Sequence, residues 1–81
     1  MSTLALHFCA VLRQAREELG WSQEHLANEA NINRSYLGEI ERGLAVPSLV
    51  TLDKLASALE IRLSDLLARC EDSDASSRVK A

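Results

Sequence analysis

The stretch LANEANINRSYLGEIERG, residues 26–43, contains the interruption that decides the fold. On both sides of it, apolar residues recur at the three- and four-residue spacing of an amphipathic helix. Between the two runs stand Asn31 and Asn33. Two short helices that meet at a steep angle need one residue with positive φ, and asparagine tolerates that conformation best after glycine. We therefore predict a corner at Asn31, and we predict that the side-chain oxygen of Asn33 caps the next helix.

The rest of the chain continues the helical pattern and predicts an all-α, compact five-helix bundle in residues 1–70, followed by a polar, disordered tail in residues 71–81. No stretch alternates β-branched and polar residues as a strand does. Gly20 and Gly43 are suited to end helices one and three, whereas Ser22 and Ser48 are suited to cap helices two and four. The inward stripes are predicted to contain Phe8, Leu12, Ala15 and Leu19; Leu26, Ala27 and Ala30; Leu37 and Ile40; Leu49, Leu52, Leu55, Ala56 and Leu59; and Leu63, Leu66, Leu67 and Cys70.

Composition limits the classes of function. The chain has 81 residues and a formal net charge of -3, which argues weakly against a nucleic-acid partner. Neither a convincing signal peptide nor a membrane span opens the sequence, so a cytoplasmic location and no membrane association are expected. Cys9 and Cys70 fall on or beside apolar stripes and are interpreted as small hydrophobes. No metal-ligand spacing, phosphate loop or fixed nucleophile–base pair appears, so we predict a protein that is not an enzyme and needs no cofactor.

Helical angles predict one buried ion pair. At 100° per residue, Arg16 lies 40° from Leu12 around helix one, and Glu41 lies 40° from Leu37 around helix three. Both charges therefore point toward the core, where an unpaired charge would cost several kcal/mol. We predict that Arg16 pairs with Glu41. The alternative is that each side chain extends separately to solvent.

The outward side of helix three is the candidate functional surface. With Leu37 and Ile40 buried, the other side of helix three would present short or forked polar side chains. An α-helix with such a side fits the major groove of DNA, where arginine pairs with guanine, asparagine with adenine, and glutamate accepts from cytosine. Taken alone, the same residues could form an ordinary solvated face with a surface pair between Glu39 and Arg42. The predicted outward side presents Ser35, Gly38, Glu39 and Arg42, with Asn33 and Arg34 at the N-terminal end and Gly38 allowing close approach.

Three motifs resemble the Cro/CI-type, or XRE-type, helix-turn-helix family. They are LRQAREELGWSQEHLA (12–27), NRSYLGEIERG (33–43) and PSLVTLDKLASALEIRLSDLL (47–67), in the order and with the spacing of that family. In length, the chain is most similar to the controller proteins of restriction-modification systems. The resemblance implies a lambda-repressor-like bundle and a transcriptional regulator that binds double-stranded DNA through its third helix, residues 33–42. It also supports the Arg16–Glu41 pair. Asn31 departs from the glycine that is common in such motifs.

The resemblance also implies roles for individual residues. Gln23 would contact phosphate and brace the third helix, or it would be a plain surface residue of the first turn. Tyr36 would contact the DNA backbone, or it would fill the core with its hydroxyl in solvent. Four residues match family positions that read bases: Asn33, Arg34, Ser35 and Glu39. Four others match family positions at the DNA backbone: Ser22, Gln23, Tyr36 and Arg42.

Low positive charge leads to the expectation of a homodimer. Between Trp21 and Val46 the basic residues are Arg34 and Arg42, so a single copy should bind DNA weakly and with a shallow salt dependence. Two copies on a pseudo-palindromic operator would double the contacts. Candidate interface residues are Val50, Leu63 and Leu66, and contact with RNA polymerase is a further possibility. The alternative function is a protein-interaction module, of antitoxin or polymerase-partner type, with secondary DNA binding.

Overall fold

Five helices form the part of the chain that the structure describes. The computed structural model describes the backbone of residues 3–78 and the side chains of residues 5–72. The helices are α1 (Thr3–Glu18), α2 (Gln23–Ala30), α3 (Arg34–Glu41), α4 (Leu49–Ala58) and α5 (Leu63–Arg78), and the all-α prediction is confirmed. Helix α1 packs on α5 and touches α3, while α2 packs on α3 and α4. None of the helices within residues 3–78 has the length and apolarity needed to cross a bilayer.

Three helices begin with the side-chain caps that the sequence predicts. Ser22 Oγ accepts the N–H of His25 at 3.0 Å, and Ser48 Oγ accepts the N–H of Thr51 at 3.1 Å. Asn33 Oδ1 accepts the N–H of Ser35 at 2.7 Å. Each oxygen satisfies an N–H group that has no partner within its helix, so these caps fix where α2, α4 and α3 start.

Four helix ends close with a residue in the left-handed conformation. Three were expected from the sequence, at Gly20 (φ 72), Asn31 (φ 57) and Gly43 (φ 77), and the fourth is Glu60 (φ 58). After each of them the next N–H donates back to the carbonyl five residues earlier, as in a Schellman motif. The corner predicted at Asn31 is therefore confirmed. Glu60 was not predicted because a glutamate carries no local signal for positive φ.

Glycine at position 60 is expected to stabilise the fold by about 0.5 to 1 kcal/mol, because it removes the steric cost of a left-handed L-residue. Thermal unfolding followed by circular dichroism should show a melting temperature a few degrees higher for Glu60→Gly. The matched control is Ser57→Gly in α4, where the backbone is helical and glycine should lower the melting temperature. If Glu60→Gly melts below the unsubstituted protein, the left-handed turn is not a source of strain.

One core contains side chains from all five helices. Helical spacing explains most of it, yet two leucines placed in the predicted stripes are exposed: Leu19 by 48% and Leu49 by 69%. Leu19 lies after the last residue of α1, and Leu49 is the first residue of α4. The largest fully buried side chains are Leu12, Leu26, Leu37, Ile40, Leu55, Leu66 and Cys70.

Helix α5 differs from the prediction in two respects. Leu66 is 0% exposed within a single chain and has no surface to offer a partner, so its assignment to a dimer interface is wrong. The stripe through Leu66 and Cys70 faces the core, and Leu63 also packs partly against it. The helix continues to Arg78 through residues predicted to be disordered, because neither Gly nor Pro interrupts residues 71–78. The rest of the predicted tail, residues 79–81, lies outside the described residues.

Candidate nucleic-acid interface

The corner at Asn31 places one side of α3 in solvent. Leu37 and Ile40 are 0% exposed and hold the helix against the core. On the opposite side, the residues predicted to read bases are all exposed: Asn33, Arg34, Ser35 and Glu39. The structure therefore brings these four side chains to one accessible edge, which we call the α3 edge.

A buried ion pair fixes the C-terminal end of α3, as the helical angles predict. Arg16 Nε lies 2.8 Å from Glu41 Oε2, and Arg16 Nη2 donates to Glu41 Oε1 at 3.0 Å. The two side chains are only 11% and 2% exposed. The hydrogen bond from Arg16 to Glu41 raises the pKa of the guanidinium above its usual value. A bidentate pair of this kind fixes orientation as well as distance, so α3 is held at a defined angle to α1.

Gln23 extends this pair to α2. Its Nε2 donates to Glu41 Oε1 at 3.0 Å, and Arg16 Nη1 donates to the carbonyl of Trp21 at 2.7 Å. Glu41 thus accepts three hydrogen bonds from two helices, which satisfies a buried carboxylate well. The prediction that Gln23 braces α3 is confirmed by this contact. Its contact with phosphate stays a prediction.

Gly38 lies beneath two side chains instead of on the exposed side. A Cβ at this position would lie 3.5 Å from Arg42 Nη1 and 3.7 Å from Gln23 Oε1, both ordinary contact distances. The prediction of an exposed Gly38 is therefore wrong, because Gln23 reaches across from α2 and Arg42 folds back from one turn later. Its absent side chain leaves room for these two polar groups next to the α3 backbone.

The residues predicted to lie at the DNA backbone surround the α3 edge. Ser22 and Arg42 are exposed, and Gln23 is half-buried. Tyr36 is half-buried and packs against the core with part of its surface in solvent. That position is compatible with both roles considered for Tyr36, which are filling the core and contacting the DNA backbone.

Charge near the α3 edge is less acidic than the sequence suggests. Glu41 is buried and balanced by Arg16, so it does not repel an approaching anion. The exposed basic groups between residues 21 and 46 are Arg34 and Arg42. The exposed carboxylates in the same range are those of Glu24, Glu29 and Glu39. The surface can accept a polyanion, but charge alone would attract it weakly.

Trp21 belongs to this site, although the sequence does not predict it. Its carbonyl accepts from Arg16, and its ring stacks on His25 with centroids 4.3 Å apart. His25 in turn lies 3.8 Å from Glu29. Trp21 lies before α2, and the extended Ser22 separates it from the helix, so helical spacing does not indicate this stack. Within residues 3–78, no group of three or more His, Cys, Asp or Glu residues could hold a metal ion.

Two short helices joined at a left-handed corner, with the second helix exposed along one polar edge, define a helix-turn-helix protein. Comparison with known families agrees, since the helix-turn-helix family model matches residues 12–66. The chain belongs to this family, and the resemblance found in the sequence is confirmed.

Its relatives are helix-turn-helix transcriptional regulators and controller proteins. The chain is 34% identical to the transcriptional regulator SutR of Escherichia coli over 68 residues, which cover 84% of this chain but 38% of SutR. It is 44% identical to the restriction-modification controller protein C.AhdI of Aeromonas hydrophila, with a TM-score of 0.73, covering 78% of this chain and 94% of that one. SinR, a biofilm master regulator solved in complex with DNA, is 36% identical with a TM-score of 0.70, covering 74% and 97% of the two chains.

Proposed function

We propose that this protein is a cytoplasmic transcriptional regulator that binds a specific double-stranded DNA sequence as a homodimer, with α3 in the major groove. The observation that carries the proposal is the α3 edge, which is polar, exposed and held in place by Arg16, Glu41 and Gln23. Support also comes from the SinR relative, whose structure contains DNA. The contacts would be made by side chains and helix N-termini, without a cofactor.

The chemistry of the α3 edge suits direct reading of bases. Arg34 can donate two parallel hydrogen bonds to guanine, and Glu39 can accept from the amino group of cytosine. Around this edge, Ser22 and the first N–H groups of α2 can approach phosphate, together with Arg42. Because few cations take part, we expect affinity to fall with salt less steeply than for a lysine-rich protein.

An exposed apolar surface supports the homodimer. Four of the six large exposed apolar side chains in the described part of the chain fall within seven consecutive residues, which end in the first turn of α4. We call Leu44, Val46, Leu49 and Val50 the apolar loop surface. A second copy of the chain is the proposed occupant of this surface. Binding to a pseudo-palindromic operator needs two recognition helices, about 34 Å apart, in successive major grooves. Val50, one of the interface residues predicted from the sequence, is 65% exposed and belongs to this surface.

Val50→Lys is expected to weaken dimerisation by about tenfold or more, because a buried, unpaired ammonium is costly. Sedimentation velocity over a concentration series measures this directly. The matched control is Leu19→Lys, which adds the same charge at an exposed leucine outside the apolar loop surface. If Val50→Lys dimerises as readily as Leu19→Lys, the interface lies elsewhere.

Fluorescence anisotropy tests the proposed function itself. Labelled duplexes from the region upstream of the gene should bind saturably, and scrambled duplexes of the same length should bind at least about a thousandfold more weakly. A salt titration of the same complex should give the shallow slope expected above. Equal affinity for every duplex, or none, would contradict sequence-specific regulation and favour a protein-interaction module. Contact with RNA polymerase stays a prediction.

A further inference from the structure

The cap of α3 restricts what Asn33 can do at the α3 edge. Its Oδ1 accepts the N–H of Ser35 at 2.7 Å and that of Tyr36 at 3.4 Å. Only the amide oxygen can accept, so this contact also fixes which way the amide group points. The Nδ2 group, with two N–H donors, therefore remains on the other side of an exposed residue.

This geometry excludes the usual pairing of asparagine with adenine. That pairing needs the amide oxygen to accept from N6 while the nitrogen donates to N7. In this protein the oxygen already serves two backbone N–H groups, and giving them up would cost α3 its cap, about 1 kcal/mol. A capped Asn33 can offer only donors to the groove.

We infer that Asn33 is a specificity-determining residue that donates through Nδ2 to a base with a major-groove acceptor (guanine, thymine or N7 of adenine) and excludes cytosine, while its oxygen stays in the cap. This inference rests on the proposed function. Arg34 beside it also carries only donors, whereas Glu39, more than one turn later, carries only acceptors at neutral pH. The α3 edge thus presents hydrogen-bond donors at its N-terminal end and a hydrogen-bond acceptor more than one turn later. The matching half-site has a base other than cytosine facing Asn33, guanine facing Arg34, and cytosine or adenine facing Glu39.

The substitution Asn33→Asp separates the cap from the reading role. Aspartate caps a helix as well as asparagine does, so the melting temperature should stay within a few degrees. It replaces the two donors by an acceptor, so cytosine, which Asn33 cannot bind, should become favoured at one half-site position, and guanine and thymine should become disfavoured. We expect the change in relative affinity between these bases to be at least about fivefold.

The experiment is selection from random duplexes with the unsubstituted protein, Asn33→Asp and Asn33→Ser, followed by anisotropy on the enriched sequences. Asn33→Ser is the matched control, because serine also caps the helix but lacks the amide. It should lose discrimination at the same position without gaining the cytosine preference of Asn33→Asp.

Three results would overturn the inference. If Asn33→Asp selects the same half-site as the unsubstituted protein, then Nδ2 contacts no base, even where overall affinity falls from repulsion of phosphate. If the unsubstituted protein selects cytosine at that position, the donor-only role is wrong, because cytosine presents no acceptor in the major groove. Both results leave the proposed function intact. If the unsubstituted protein enriches no sequence, the proposed function fails together with the inference.

Discussion

Replacement of Glu41 by alanine is expected to destabilise the fold by about 3 to 5 kcal/mol, because it leaves the guanidinium of Arg16 buried without its partner. Gln23 Nε2 loses its acceptor in the same substitution. Domains of this size have a total free energy of unfolding of about 5 to 15 kcal/mol, so a large share of the stability would be lost. Urea unfolding followed by circular dichroism gives this difference directly.

A second ion pair provides the control. Arg13 and Glu17 lie 3.2 Å apart, but their side chains are 63% and 55% exposed. Glu17→Ala should therefore change the free energy of unfolding by less than about 1 kcal/mol. The double substitution Arg16→Met with Glu41→Leu should recover part of the loss, because it removes both buried charges. Equal effects of Glu41→Ala and Glu17→Ala would show that burial does not strengthen the first pair.

Arg34→Ala is expected to weaken binding to the selected operator by about 1 to 3 kcal/mol, because it would remove the proposed bidentate contact to guanine. It should also relax base preference at one position, which anisotropy on duplexes substituted at that position would reveal. The exposed Arg34 makes no described core contact, so the melting temperature should stay unchanged.

Arg42→Ala is the matched control for Arg34. If Arg42 contacts phosphate, its loss in Arg42→Ala would weaken binding about equally on all sequences and lower the salt slope by about one. Arg13→Ala, on the exposed side of α1, should do neither. If Arg34→Ala reduced affinity equally on every duplex, Arg34 would be a backbone contact, and the reading role would pass to other residues of the α3 edge.

The features that sequence could predict depend on local geometry. Positive φ at Asn31 follows from residue type and position, and the caps at Ser22, Asn33 and Ser48 follow from short polar side chains before apolar periodicity. The Arg16–Glu41 pair follows from angles around two helices. Each of these needs only a few neighbouring residues and the fixed geometry of a helix.

The features that sequence could not predict depend on how the helices pack. Gly38 is buried because side chains from α2 and from the end of α3 cover it, which no stripe on α3 alone can indicate. Leu66 could point to the core or to a partner, and its burial against the other helices settles the question. Glu60 adopts positive φ because the turn after α4 requires it, despite an unsuitable residue type.

Because Glu41 is tied to α1 through Arg16 and to α2 through Gln23, α3 cannot fray or tilt unless these bonds open. Local opening of α3 therefore requires breaking the buried pair, so its backbone is held in place before any partner arrives. Binding to a partner would then cost little backbone entropy. The remaining entropy cost would come from ordering a few exposed side chains such as Arg34 and Glu39. A chain with so few cations can thus recognise a target through preorganisation instead of electrostatic attraction.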